Sequence, residues 1–179
     1  MIDPQTSRRI AHRGLYLGLV ALVIFLRLLP VNPEANSLPG PDLTLALTLA
    51  WVLRRPDYVP AALIVAVFLI EDLMFWRPVG LWTLIVLGAT EVLRAREAAS
   101  RDLPFVLEFI MVAGVMLGML VLNRLVLALV VTDQPPLGLE LLRYLSTLAA
   151  YPFVVALSRM AFGLRRAAPG EVDAWGNRL

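Results

Sequence analysis

Residues 104–131 form an almost unbroken apolar run, interrupted only by Glu108, Asn123 and Arg124. As a helix, at 1.5 Å per residue, this run is about 42 Å long, which exceeds the roughly 30 Å hydrocarbon core of a bilayer. A small soluble fold leaves too much of its surface in water to hide such a stretch. The rest of the chain has the same character. Hydrophobic residues make up 59% of the 179 positions and charged residues 17%, against roughly 45–50% and 25% in soluble domains.

Six apolar segments can be marked off, at about 14–30, 42–53, 60–75, 79–93, 104–131 and 139–162. They are continuous rather than alternating, which disfavours a membrane β-barrel. The expected fold is all-α, a polytopic transmembrane helical bundle with six helices preferred and five possible. The segments at 42–53 and 79–93 are short for a span, so the former is expected to be a half-helix or to sit where partners thin the bilayer. The long segment at 104–131 is expected to tilt or bend.

Arginine placement sets the orientation. All 16 Lys/Arg positions are arginine. Arg8, Arg9 and Arg13 precede the first segment, Arg54 and Arg55 follow the second, Arg94, Arg96 and Arg101 follow the fourth, and Arg165, Arg166 and Arg178 follow the sixth. The connections at 31–41 and 132–138 carry none, and Arg77 is the exception. Basic loops stay on the cytoplasmic side, so both termini are expected inside a bacterial inner (cytoplasmic) membrane. The organisation is then a cytoplasmic arm at 1–13, a multi-pass membrane domain at 14–163 and a short cytoplasmic tail at 164–179. The first segment is long, lacks a small-residue cleavage site and contains Arg27, so it is read as a retained helix rather than a signal peptide. Trp76 and Trp82 flank one turn and Tyr58 lies near a boundary, as expected of interfacial aromatics.

The small excess of base argues against nucleic acid as a partner. There is no cysteine, which excludes disulfides and thiolate metal sites. The single histidine, His12, lies in the basic arm and is read as solvated. No metal and no cofactor are expected.

Ionisable groups at membrane depth cost roughly 2.5–3.5 kcal/mol each and need a reason. Glu108 and Arg159 lie one turn from helix ends and are expected to snorkel to the interface. Asp42 opens the second segment and is read as an N-cap rather than a ligand. Arg124 lies deeper, about 12 Å below the outer surface at 1.5 Å per residue. Arg27 and Arg124 are expected to meet Glu71 or Asp72 in the outer half of the bundle. Neighbouring helical residues point about 100° apart, so Glu71 and Asp72 face different partners. An internal ion pair that fixes register is favoured over a polar cavity, a docking point or a proton relay. Glu140 and Arg143 lie in the same half.

Two small-residue pairs, Gly14/Gly18 and Gly114/Gly118, allow close helix approach. Internal packing is the favoured use, and a face for another protein's helix the other. No phosphate loop, zinc-protease motif, nucleophile elbow or dinucleotide fingerprint is present. The chain is therefore expected not to be an enzyme.

The run Pro41-Asp42-Leu43-Thr44-Leu45, continuing to Leu53-Arg54-Arg55-Pro56, resembles the MreD family of rod shape-determining proteins. So does Glu71-Asp72-Leu73-Met74-Phe75-Trp76-Arg77-Pro78-Val79-Gly80-Leu81. Family members carry a "PDL…RRP" segment and then a "DLL-x-G-x-P-x-G" turn. This chain has Trp76 where the family often has glycine. The match covers mainly residues 39–95, together with overall length and span count. The resemblance implies a non-catalytic component of the bacterial cell-elongation complex. It implies binding to MreC and, through it, to MreB, RodA and a penicillin-binding transpeptidase. Asp42, Asp72, Pro78 and Gly80 are the positions carried over, with structural roles: Pro78 ends the third helix, and Gly80 permits close approach. The same resemblance implies a rival, a small-ligand-binding membrane component of an energy-coupling vitamin-type transporter, to which such proteins are thought to be similar in architecture.

Overall fold

The computed structural model describes residues 4–29, 39–96, 104–130 and 134–162. Expectations about the tail at 164–179, Arg101 and the loops at 30–38 and 131–133 lie outside those residues. Among the described residues there are six α-helices, and the chain is all-α as expected. They are α1 Pro4–Leu28, α2 Leu43–Arg54, α3 Ala61–Met74, α4 Leu81–Ala95, α5 Phe105–Leu129 and α6 Leu137–Phe162. A single 3-10 turn, Pro56–Tyr58, joins α2 to α3.

Side-chain contacts fix the direction of the helices. Arg27 meets Asp42 while Arg13 donates to the Asp57 carbonyl, so α1 and α2 are antiparallel. The Asp42 amide donates to Thr147 and the Trp51 indole to Ser158, so α6 runs with α2. Both ends of the described chain therefore lie at the Asp57 end of the bundle, and the turn at 75–80 at the Asp42 end. This matches an even number of crossings.

The centre of the bundle is α2. Every residue from Thr44 to Arg54 is buried. Its 12 residues span about 18 Å, well short of a bilayer. That shortness is tolerable because α2 is surrounded by protein and shows lipid almost no backbone. Trp51 is fully buried between Tyr16 and Phe162, with ring centroids 5.6 and 6.2 Å away. The Tyr16 hydroxyl meets Thr48 at 2.7 Å, which ties α1 to the same post.

Large apolar side chains cover the surface, and charged groups are buried within an otherwise apolar core. Phe25, Ile110, Leu117, Leu125, Phe153 and Leu157 are exposed, whereas Asp42, Arg54, Glu71, Asp72 and Glu108 are buried. Three helices, Thr6–Leu28, Phe105–Leu129 and Leu137–Phe162, are long and apolar enough to cross a membrane. Large exposed apolar faces over a charged interior are what lipid as solvent produces. The chain is a membrane protein.

Three local expectations change. The first helix begins at Pro4 rather than near residue 14, so the basic arm is helical. It docks on the 3-10 turn, where Arg9 lies 3.6 Å from the Asp57 carboxylate and His12 stacks on Tyr58 at 4.3 Å. Second, Gly14, Gly18, Gly114 and Gly118 do not serve internal packing. A Cβ at any of them would meet nothing within 4 Å, because all lie on exposed faces. Third, α3 ends before Pro78 is reached. Trp76 adopts φ 53°, in the left-handed region. The Arg77 amide then bonds back to the Asp72 carbonyl at 3.1 Å and the Phe75 amide to Glu71 at 2.9 Å. This is a Schellman-type stop, with Trp76 in the position glycine usually fills.

Candidate functional site

Charged side chains gather at the Asp42 end. Asp42 caps α2, accepting from the Leu45 amide at 3.2 Å, as its place before the apolar run predicts. It also lies 3.7 Å from Arg27 and 3.8 Å from Arg77. Arg27 reaches the fully buried Glu71 at 3.6 Å. These separations exceed hydrogen-bond range, so charge rather than directed bonding holds the cluster. Each arginine also lies over a ring, Arg27 on Phe75 at 4.6 Å and Arg77 on Trp82 at 5.5 Å. Such cation–π contacts suit guanidinium groups removed from water.

Asp72 faces another way, as helical geometry requires of adjacent residues. Its Oδ2 accepts from the Gly80 amide at 3.1 Å, the Thr83 amide at 3.2 Å and the Thr83 hydroxyl at 2.8 Å. A carboxylate on α3 thus caps the start of α4 across the turn, satisfying amides that a helix start leaves open. Gly80 has φ +86° and open space where a Cβ would be. Its glycine is needed for backbone conformation, not for close approach.

Arg124 does not pair with Glu71 or Asp72. Its partner is Glu140 on α6, and it also donates to the Pro135 carbonyl at 3.3 Å. The α5–α6 connection is short, so Arg124 finds a nearer carboxylate across it than any on α3. Of the expected pairings, Arg27 with Glu71 is present and both Arg124 alternatives are absent.

Glu108 does not snorkel. It is buried, lies 3.0 Å from Arg54 and accepts from the Tyr151 hydroxyl at 2.6 Å. This ties α2, α5 and α6 together near the Asp57 end. Arg54 is one of the arginines that mark the basic loops, yet its side chain turns inward.

Between α2, α4, α5 and α6 at the Asp42 end lies a cavity of about 560 Å³. Its mouth carries Asp42, Arg77, Asn123, Glu140 and Arg143, and its floor Leu45, Met116 and Leu120. Met116 and Leu127 both line it, so it follows α5 for about 16 Å at helical rise. The volume lies within the roughly 300–1,000 Å³ of small-molecule sites. Arg143 is among the charges the sequence places at membrane depth, and a polar cavity in this half is the less favoured expectation there; nothing in the sequence marks which residues line the space.

No protein-family model, curated protein or solved structure matches this chain. The chemistry open to the site follows from its residues. They offer charge and hydrogen bonds over an apolar floor. Asp42 and Asp72 are occupied in capping, Glu71 is enclosed behind Arg27, and Glu140 at the mouth is paired with Arg124.

Proposed function

We propose that this chain is a non-catalytic scaffold component of the bacterial cell-elongation complex, binding MreC in the inner membrane with both termini in the cytoplasm. Through MreC it would meet MreB, RodA and a penicillin-binding transpeptidase, and so help direct lateral peptidoglycan synthesis. The observation that carries this reading is the role of the MreD-like positions. Asp42 caps α2, and Asp72 caps α4 through Gly80 and Thr83. Residues that match a family motif are thus the ones that build the helix starts. The uncovered glycine pairs on α1 and α5 add support, since small residues on a lipid-facing surface suit packing of a partner's helix.

The test is mild-detergent capture of tagged protein from its native host, with partners identified by mass spectrometry. Recovery of a single-span protein with an actin-like filament protein or wall synthases is the expected result. Crosslinks scanned along α1 and α5 should reach the single-span partner; crosslinks confined to other helices count against those faces.

The cavity favours a second reading, a small-ligand-binding component of an energy-coupling transporter. Co-purification of paired ATPases and a second membrane subunit would establish it. Architecture alone carries little weight for either function.

A further inference from the structure

We infer that the cavity at the Asp42 end binds an anionic amphiphile, with Arg143 and Arg77 holding an oxyanion headgroup and the floor of Leu45, Met116 and Leu120 taking its apolar chain. The inference rests on the cavity that supports the second reading above, but not on transport.

The placement of charge, not its sum, points to the headgroup. Four guanidinium groups, on Arg27, Arg77, Arg124 and Arg143, share this end with four carboxylates, on Asp42, Glu71, Asp72 and Glu140. Asp72 is turned to the start of α4. Arg124 takes Glu140, Arg27 takes Glu71, and Asp42 lies between Arg27 and Arg77. Arg143 is exposed, and its side chain makes no ion pair or hydrogen bond with the described residues. It lies at the mouth, in the field of Arg77 and Arg27 as well as Asp42 and Glu140. Arg77 is only loosely engaged, at 3.8 Å from Asp42, and its Nη1 has no hydrogen-bond partner. A guanidinium outside a close ion pair, beside low-dielectric walls, attracts an anion. Two guanidinium groups at one mouth match the geometry of phosphate or carboxylate oxygens.

The floor points to the rest of the ligand. Leu120 and Met116 lie about 4.5 and 10.5 Å below Asn123 along α5, so polarity falls with depth on that helix. A free inorganic anion would leave that apolar volume empty. A headgroup with one attached chain fills both parts.

The test uses the full-length protein in a non-ionic detergent. Native mass spectrometry counts retained lipid when the single-chain lipids lysophosphatidylglycerol and lysophosphatidylcholine, with identical chains, are offered together. Preference for the anionic lipid by about tenfold, equivalent to about 1.4 kcal/mol, is expected. Arg143→Gln should bring the ratio near unity, Arg143→Lys should keep most of it, and Arg159→Gln, at the opposite end, should leave it unchanged. Met116→Trp should lower retention of both lipids by filling the floor. Equal retention of the two lipids by the wild type, or an Arg159→Gln effect as large as that of Arg143→Gln, overturns the inference. So does displacement of the lipid by millimolar inorganic phosphate, which would make the ligand a free oxyanion. Partner capture is a separate experiment, so the scaffold and transporter readings can fail without affecting this result.

Discussion

Removing one member of the buried Arg54–Glu108 pair should cost far more than removing both. Glu108 is 2% exposed and Arg54 6% exposed, with 3.0 Å between them. Glu108→Leu leaves the Arg54 guanidinium buried without that carboxylate and strips the Tyr151 hydroxyl of its acceptor. Arg54→Met removes the guanidinium 3.0 Å from a buried carboxylate that Tyr151 also bonds. Breaking a buried pair from one side costs about 3–5 kcal/mol, whereas replacing both partners with apolar groups of similar volume is often neutral. In a Tyr151→Phe background, where no hydroxyl loses its acceptor, the double variant should therefore lie within about 1 kcal/mol of its parent, a coupling of several kcal/mol between the two sites. The assay is unfolding in mixed micelles, with helicity followed by circular dichroism as the denaturing detergent fraction rises. Single substitutions that each cost under about 1 kcal/mol, or a double variant equal to the sum of the singles, would refute the buried triad.

Trp76→Gly should stabilise the protein by about 1 kcal/mol, because a 96% exposed side chain with φ 53° loses little packing and sheds backbone strain; a lowered midpoint in the same assay contradicts this. Gly80→Val should destabilise by more than about 1 kcal/mol through its φ of +86° alone, and free space around the residue means that no clash can account for the loss. Asp72→Ala should cost about 1–2 kcal/mol as a lost cap and speed amide exchange first at Thr83, whose amide it accepts; uniform exchange along α4 would argue against the cap. Reversing Arg124 or Glu140 singly should cost about 1 kcal/mol and reversing both should recover it, while reversing Arg124 together with Glu71 should recover nothing.

Helix order was legible because prolines and arginines punctuate the apolar runs. The ends of α2, α3, α5 and α6 fall within two residues of the expected boundaries. Asp42 was legible as a cap because capping is local: a carboxylate before an apolar run with open amides beyond it. Arg27 with Glu71 was legible from depth alone. Rotation about the helix axis was not. In water a helix advertises its buried face by amphipathicity, but α5 is apolar all round, so nothing marked Glu108 as pointing toward Arg54. For the same reason the glycine pairs could not be assigned to an inner or outer face. Arg124 was mispaired because depth matched Glu71 and Asp72, while the turn into α6 brought Glu140 closer. The left-handed residue at position 76 was hidden by its own identity, since tryptophan gives no turn signal where glycine would.

The short lengths of α3 and α4 bear on the lipid around the protein. With 14 and 15 residues, they offer the bilayer about 21–22 Å of helix on one flank. On the other flank α5 and α6 offer 25 and 26 residues, about 37–39 Å. Ile70, Leu73 and Leu84 on the short flank are exposed and demand acyl chains. A bilayer that α3 and α4 also cross would be pinched on that side and relaxed on the other, at a fraction of a kcal/mol per Å of mismatch. A bilayer deformed asymmetrically around one protein draws in neighbours with a matching short flank, so the thickness profile itself gives this molecule a preferred direction of approach.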